Sequence, residues 1–381
     1  MKIGLVCPYN MARGGGVQEI VRDMRAGLTE LGHDVKIVTP QPRSIERSET
    51  DGIIFLGRAT DFRSPMHTTP QFSVSVNTDE IEQMLAEEQF DILHFHEPWV
   101  PVLSRQILAR SKAINIATFH AKVPETLMSR TIVKVVTPYT KSLLRYLHAL
   151  TAVSDAGAEY ASSLTDEPIT IIPNGIDLKR FRKATKAGVK DPDVKTILYI
   201  GRLERRKGLK YLFRAYEQLT HNHQAVRLVI AGDGPDREKL EMLAQTMRLP
   251  NVSFLGFVTE QEKMELLGSA DLFCSPAIFG ESFGIVLLEA MASGLVTVAG
   301  DNSGYSAVMQ EMGSLSLVNP NETNEFARRL ELLLYESKLR ADWQAWAKRY
   351  VEQYNYPQII TRYNELYEYT VKNHAQSKKA P

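Results

Sequence analysis

Lys2-Ile3-Gly4-Leu5-Val6-Cys7 begins the chain as a short, nearly continuous apolar run. Gly14-Gly15-Gly16 follows, then a helical pattern from Val17 to Leu31 that stops at Gly32, then a second apolar run, Val35–Thr39. An apolar run of about 4–8 residues bounded by turn formers reads as a buried strand, and apolar residues spaced three and four apart read as a helix. Strand, helix and strand in that order make a parallel crossover unit covered by its own helix. Working outward, Asp91–His96 and Ile114–Phe119 read as further strands of the same sheet. The rhythm restarts at Thr196–Ile200, with helices about Tyr211–Leu219 and Asp236–Met247 and strands at Arg227–Ala231 and Val252–Phe254. Asp271–Cys274, a buried helix over Ile285–Ala292 and Val296–Ala299 extend it. The fold class is therefore α/β, with two Rossmann-like parallel-sheet domains that share architecture but no close sequence repeat.

The join falls at Ile171-Ile172-Pro173-Asn174-Gly175, where Pro and Asn-Gly interrupt the strand run. This assigns residues 1–172 to an N-terminal domain and 173–357 to a C-terminal one. Arg182–Pro192 is polar and Lys-rich and reads as a surface loop. Trp343–Tyr369 reads as helix with a break at Pro357, and the tail from His374 as frayed. Ligands of open α/β sheets bind outside the carboxyl ends of the strands, so the informative residues are those just after strands, in a cleft between the two sheets.

Composition removes several function classes. The 381 residues carry 45 Lys plus Arg and 45 Asp plus Glu, a net charge of zero, which argues against a chain built to coat nucleic acid. The two cysteines, Cys7 and Cys274, are too few for a disulfide framework or a cysteine zinc cluster and fit a reducing compartment. No apolar run reaches the roughly 18 residues of a membrane span, and the apolar run at the N-terminus is shorter than a signal-peptide core. The expected location is cytoplasmic, with peripheral contact to the inner face of the membrane.

The strongest cluster is Phe279-Gly280-Glu281-Ser282-Phe283-Gly284-Ile285-Val286-Leu287-Leu288-Glu289-Ala290-Met291. Ser282 is placed to cap the helix that begins at Ile285, and Gly280 and Gly284 allow a ligand close to the backbone. A helix start with free N–H groups suits a phosphate. Glu281 precedes that helix and Glu289 lies inside it, so two carboxylates face sugar or ribose hydroxyls at different depths. Gly201-Arg202-Leu203-Glu204-Arg205-Arg206-Lys207-Gly208 directly follows a strand. Arg202 can grip phosphate oxygens as a fork and Lys207 can add a point charge, while Arg205 and Arg206 read as solvated. No Gly-Lys-Ser/Thr completes a P-loop.

Other patterns weigh against alternatives. Gly14-Gly15-Gly16 and Gly232-Asp233-Gly234 both lack the third glycine of a dinucleotide fingerprint, with Arg237 in its place after the latter. This lowers the reading of a nicotinamide-dependent or isomerising enzyme. His94, His96 and His120 sit at strand ends and invite zinc, but structural or substrate-binding histidines are the commoner use, and no metal is expected. Asp191-Pro192-Asp193 precedes a strand and reads as a turn. Ser64–Ser104 holds no Lys or Arg, whereas Arg105–Arg145 is basic and interleaved with apolar residues. That second segment reads either as helices packed on the sheet or as a surface that lies on anionic lipid.

These residues resemble family 4 of the retaining glycosyltransferases, which have the two-domain GT-B fold, over nearly the whole chain. The most specific marks are the E-x7-E pair Glu281 and Glu289 and Gly201-Arg202 with Lys207-Gly208; Thr118-Phe119-His120, Ala152-Val153-Ser154 and Ile172-Pro173-Asn174-Gly175 support them. Cys7-Pro8-Tyr9, Gly15-Gly16-Val17-Gln18 and Leu93-His94-Phe95-His96-Glu97-Pro98 are most similar to bacterial phosphatidylinositol mannosyltransferases. The resemblance implies a nucleotide-sugar donor, GDP-mannose first and a UDP-hexose second, and a lipid-linked acceptor, with a soluble sugar or glycan as the alternative. It implies that Gly15 and Gly16 lie near the donor phosphates and that Arg202 and Lys207 bind the pyrophosphate. Gly201, Gly280, Ser282, Phe283, Gly284 and Ile285 shape the donor site. Glu281 would hold the transferred sugar and Glu289 the ribose, with Tyr9, Gln18 and His120 facing the acceptor. It also implies that the final helix, 358–381, completes the N-terminal domain. The chain departs from those relatives at Thr78-Asp79-Glu80-Ile81-Glu82 and at Glu125, which are acidic where the lipid-acting enzymes are basic.

Overall fold

The computed structural model describes residues 1–11, 15–41, 51–61, 71–75, 77–122, 127–184 and 191–377. The chain divides into two compact units, one formed by Met1–Gly175 with Tyr356–Pro381 and the other by Ile176–Asn355. Each is an α/β layer structure, as the alternating rhythm requires.

Among the described residues, the first unit holds an eight-stranded sheet. Its strands are β1 (Lys2–Val6), β2 (Asp34–Gln41), β3 (Ile53–Asp61), β4 (Gln71–Ser75), β5 (Ile92–His96), β6 (Ile114–Phe119), β7 (Ala149–Ala152) and β8 (Ile169–Ile171). They run in the order β4-β3-β2-β1-β5-β6-β7-β8, and only the edge pair β3–β4 is antiparallel. The central strands are buried along their length, which is why they read as continuous apolar runs rather than as alternation. β3 and β4 escape the sequence rhythm. Among the described residues no helix separates β2 from β3, the apolar run of β3 is broken by Gly57, and β4 is a short edge strand with three polar residues.

The helix Gly16–Glu30 packs its apolar face, Ile20, Val21, Met24 and Leu28, on this sheet. The last helix, Tyr356–Ser377, belongs to the same unit and meets it closely. A Cβ on Gly27 would stand 2.7 Å from Ile360, and the Tyr356 hydroxyl donates to Asp23 at 2.5 Å. The break in the C-terminal helical run falls at a short 3-10 segment, Val351–Tyr354, just ahead of Pro357, which sits in the first turn of the last helix, where a missing N–H costs nothing.

The second unit holds a six-stranded parallel sheet among the described residues, ordered β11-β10-β9-β12-β13-β14. Its strands are β9 (Lys195–Ile200), β10 (Val226–Ala231), β11 (Val252–Gly256), β12 (Leu272–Ser275), β13 (Val296–Gly300) and β14 (Leu317–Val318). The strand order reverses between β9 and β12 here and between β1 and β5 in the first unit, the positions at which such sheets open a crevice. The expected loop Arg182–Pro192 begins instead as helix, because Leu178–Ala184 buries Leu178 and Phe181; residues 185–190 lie outside the described set. Asp191 does form a turn, its carboxylate accepting the backbone N–H of Asp193 at 3.1 Å.

Candidate active site

In the second unit the residues after β9 and after β12 converge. Ile278 donates its backbone N–H to the Arg206 carbonyl at 2.8 Å, and Gly208, in the left-handed region at φ +76°, lies where a Cβ would meet the Pro276 carbonyl at 2.0 Å. The short 3-10 turn Arg205–Lys207 thereby aims two of its three cations at one carboxylate. Glu281, with a side chain 13% exposed, pairs through Oε1 with Arg206 Nη1 at 2.5 Å and with Lys207 Nζ at 2.8 Å. Arg206 also meets Glu204 at 2.7 Å, and Arg202 reaches the other oxygen of Glu204 at 3.7 Å. Burial works against the charge of Glu281, but Lys207 and Arg206 more than offset it and hold its pKa below the ordinary carboxylate value. Three cations thus share these two carboxylates, and Arg202 remains 41% exposed.

This corrects the sequence reading of Arg206. It is not a solvated member of a basic run but the inner partner of Glu281, whereas Arg205 is exposed as expected. A second correction concerns the helix Ile285–Ala292. Its N-cap is Gly284, in the left-handed region at φ +113°, rather than Ser282. Gly284 is required there, since a Cβ would come within 2.7 Å of the Tyr305 ring. Phe283 is buried, with its ring 5.9 Å from that of Tyr354. Gly201 turns the chain beside the Tyr199 hydroxyl, which donates to the Arg202 carbonyl at 2.9 Å. Glu289 is buried as its apolar neighbours predict, and Lys263 pairs with it at 2.7 Å. Lys263 was not legible in sequence, because a single lysine on an amphipathic helix carries no signal of its partner.

In the first unit the site residues gather at the carboxyl ends of β1, β5 and β6. His94 and His96 stack with centroids 4.4 Å apart, as residues i and i+2 of one strand face must. His94 shares hydrogen bonds with the Tyr367 hydroxyl and with Thr118 Oγ1, both at 2.6 Å. His96 Nδ1 lies 2.8 Å from His120 Nε2. Burial keeps all three imidazoles neutral, with His94 and His120 lowered to about 3. Among the described residues no group of His, Cys, Asp or Glu is arranged to hold a metal ion.

Glu97, next along the chain, is fully buried. It accepts the backbone N–H of His120 at 2.8 Å and the indole N–H of Trp99. Burial raises its pKa to about 7 against those hydrogen bonds. Tyr9 is half-buried and kept protonated by burial and by the nearby charge of Glu97. Gln18 donates to the Asn10 carbonyl at 3.4 Å and covers Gly15, while Gly16 is exposed with open space over its Cα. Gly14 and Glu125 lie outside the described residues. A cavity of about 360 Å³ between Arg25, His33, Asp34 and Lys36 opens at the other, amino-terminal end of β2 and β3.

Residues 14–180 match the family described as Glycosyltransferase Family 4, and residues 181–350 match Glycosyl transferases group 1. The chain is 30% identical over 369 residues to the phosphatidyl-myo-inositol mannosyltransferase of Mycolicibacterium smegmatis, covering 97% of this chain and 94% of that protein. Among solved structures, sucrose-phosphate synthase from Thermosynechococcus elongatus shares the fold with a TM-score of 0.75 at 20% identity, over 96% of this chain and 98% of that one. Anabaena HepE in complex with UDP and glucose does so with a TM-score of 0.76 at 17% identity, over 96% and 99%.

The neutral histidines give the first unit a defined pH response. The folded state binds fewer protons than the unfolded chain between the lowered values near 3 and the ordinary 6.5, so stability present above pH 6.5 is lost as pH falls. Glu97 acts in the opposite sense, its stability contribution being lost as pH rises from 4.5 through about 7. The histidines outnumber it, so the melting temperature of this unit should climb from pH 4.5 to 6.5. His94→Gln should flatten that limb by up to about 1.4 kcal/mol per pH unit. An unchanged slope in this variant would show that His94 is protonated in the fold.

Proposed function

Because the chain belongs to glycosyltransferase family 4, we propose that it transfers a hexose, mannose first, from a nucleotide sugar to a lipid-linked acceptor with retention of anomeric configuration. The observation that carries this is the charge cluster of Arg202, Arg206, Lys207 and Glu281 at the strand-order reversal of the second unit. Transfer breaks the bond from the anomeric carbon to the diphosphate oxygen, so negative charge develops on the departing diphosphate. Preformed cations stabilise that charge without reorganising, which is where such groups are most effective. In this reading Arg202 and Lys207 hold the pyrophosphate and Glu281 the sugar hydroxyls, with Glu289 accepting from the ribose. The acceptor oxygen attacks the same face of the sugar, and its proton passes to the leaving phosphate oxygen. No metal is assigned to the reaction, since side-chain cations carry the leaving-group charge.

The relatives at 30% identity named as phosphatidyl-myo-inositol mannosyltransferases support mannose and a lipid acceptor. A UDP-hexose donor with a soluble sugar acceptor is the second reading. Among the described residues no helix is long and apolar enough to cross a membrane. Peripheral docking of the segment 105–145 at the inner membrane face is part of the proposal, with a reduced set of charges. Arg110 pairs with Glu82 at 3.1 Å and Lys122 with Glu159 at 3.1 Å, and among the described side chains Arg105, Lys112, Lys141 and Arg145 are exposed.

Two measurements test this. In a donor panel without acceptor, GDP-mannose should be hydrolysed at a rate that EDTA does not change, and Arg202→Ala or Lys207→Ala should lower turnover by about 10²-fold or more. Wild-type rates in both variants would remove the pyrophosphate role, and turnover of a UDP-hexose alone would favour the second reading. In liposome flotation the protein should follow anionic but not neutral vesicles, and Lys141→Glu with Arg145→Glu should abolish the difference. Equal recovery on both vesicle types would contradict electrostatic docking.

A further inference from the structure

His96 ends β5 and His120 follows the adjacent β6, their rings stacked with centroids 5.1 Å apart. One nitrogen of each ring is committed to the 2.8 Å contact between them. The other nitrogens, Nε2 of His96 and Nδ1 of His120, are buried and have no hydrogen-bond partner among the described residues. Both rings are neutral, so each carries one ring proton, and one of the two protons must lie in the shared contact.

Only two arrangements meet this condition. If His120 donates, its Nδ1 is a bare lone pair and His96 keeps an Nε2–H. If His96 donates, its Nε2 is the lone pair and His120 keeps an Nδ1–H. Either way one N–H is left over, and most buried side-chain polar atoms have a hydrogen-bond partner. His96 is sealed at 0% exposure, and His94, stacked against it, uses both of its own nitrogens on Tyr367 and Thr118. Nδ1 of His120 is itself covered, but the residue retains 6% exposure at the carboxyl end of β6, the end at which ligands of such sheets bind. The left-over N–H therefore belongs on His120.

The backbone of His120 is fixed as well. Glu97 is a non-glycine residue in the left-handed region, at φ +52°, a conformation that persists only where the surroundings enforce it. What enforces it is the grip of its carboxylate on the His120 N–H and the Trp99 indole, together with its own N–H donating to the Thr118 carbonyl at 2.9 Å.

We propose that His96 and Glu97 are positioning residues for His120: His96 donates to Nε2 and so fixes the tautomer in which Nδ1–H donates to an oxygen of the bound carbohydrate, while Glu97 locks the backbone beneath it. This rests on the reading of His120 as a substrate contact. It makes His120 a neutral hydrogen-bond donor rather than a base.

Long-range proton–nitrogen correlation spectra of the full chain, labelled at histidine, read the tautomer directly. The expected spectrum shows His120 protonated at Nδ1 and His96 at Nδ1. His96→Asn places an amide donor near the lost Nδ1 and should keep both the His120 tautomer and turnover within a few-fold. His96→Leu has no donor, so His120 should switch to Nε2–H and kcat should fall at least about tenfold with donor KM little changed, as a wrong tautomer does elsewhere. A wild-type His120 protonated at Nε2, or an unchanged tautomer in folded His96→Leu, would overturn the proposal; if His96→Leu does not fold, the wild-type and His96→Asn spectra decide. Wild-type turnover in His120→Leu would instead overturn the substrate contact, while the spectrum still decides the tautomer.

Discussion

A carboxylate as enclosed as Glu281 cannot stay ionised without partners, and the local structure of the second unit follows from supplying them. Arg206 and Lys207 come from the loop after β9, and Glu281 comes from the loop after β12. To bring them together the first loop must turn tightly at Gly208 and press against the Pro276 carbonyl, and the second must turn at Gly280 and Gly284. The glycines, the short 3-10 turn and the partly buried ion pairs are thus one device. Its product is a rigid group of three cations and two carboxylates, held where the strand order reverses. Such preorganisation is what stabilisation of a leaving anion demands.

The site of the first unit has the opposite electrostatic character. Its histidines are neutral, its tyrosines are protonated, and the buried carboxylate of Glu97 is raised toward neutrality. Hydrogen bonding, not charge, organises it, running from Tyr367 of the last helix through His94 to Thr118 and Thr151. The last helix is therefore more than a closing element of this unit, since it orients the histidine row from behind. Under the proposed function the charged site serves the diphosphate and the neutral one serves hydroxyl groups.

Much of the fold was legible because buried parallel strands are rich in apolar residues, as β1, β2, β5, β6, β9, β10, β12 and β13 are despite polar members such as Lys36, Asn115 and Arg227. β3 and β4 were not, since an antiparallel edge pair after a glycine carries neither signal. Glu281 and Glu289 stood out as carboxylates beside an apolar run, and Arg202 and Lys207 as cations after a strand. The inner role of Arg206 was hidden, because in Arg205-Arg206-Lys207 only the turn geometry decides which side chain points inward. Ser282 looked like a cap by residue type, yet the backbone spends two more residues reaching Gly284. Glu97 gave no sign of burial, lying between His96 and Pro98 in a stretch notable only for its histidines.

The central claim is that the Arg202, Arg206 and Lys207 cluster is a preformed cradle for a diphosphate. Calorimetric titration of the wild-type chain with GDP, GMP and guanosine tests it most directly. Each charge-assisted hydrogen bond is worth about 1.5–3 kcal/mol. GDP should therefore bind at least about tenfold more tightly than GMP, and Lys207→Met should erase most of that gap while leaving guanosine unaffected. Equal affinities for GDP and GMP, or a gap that survives Lys207→Met, would contradict the account.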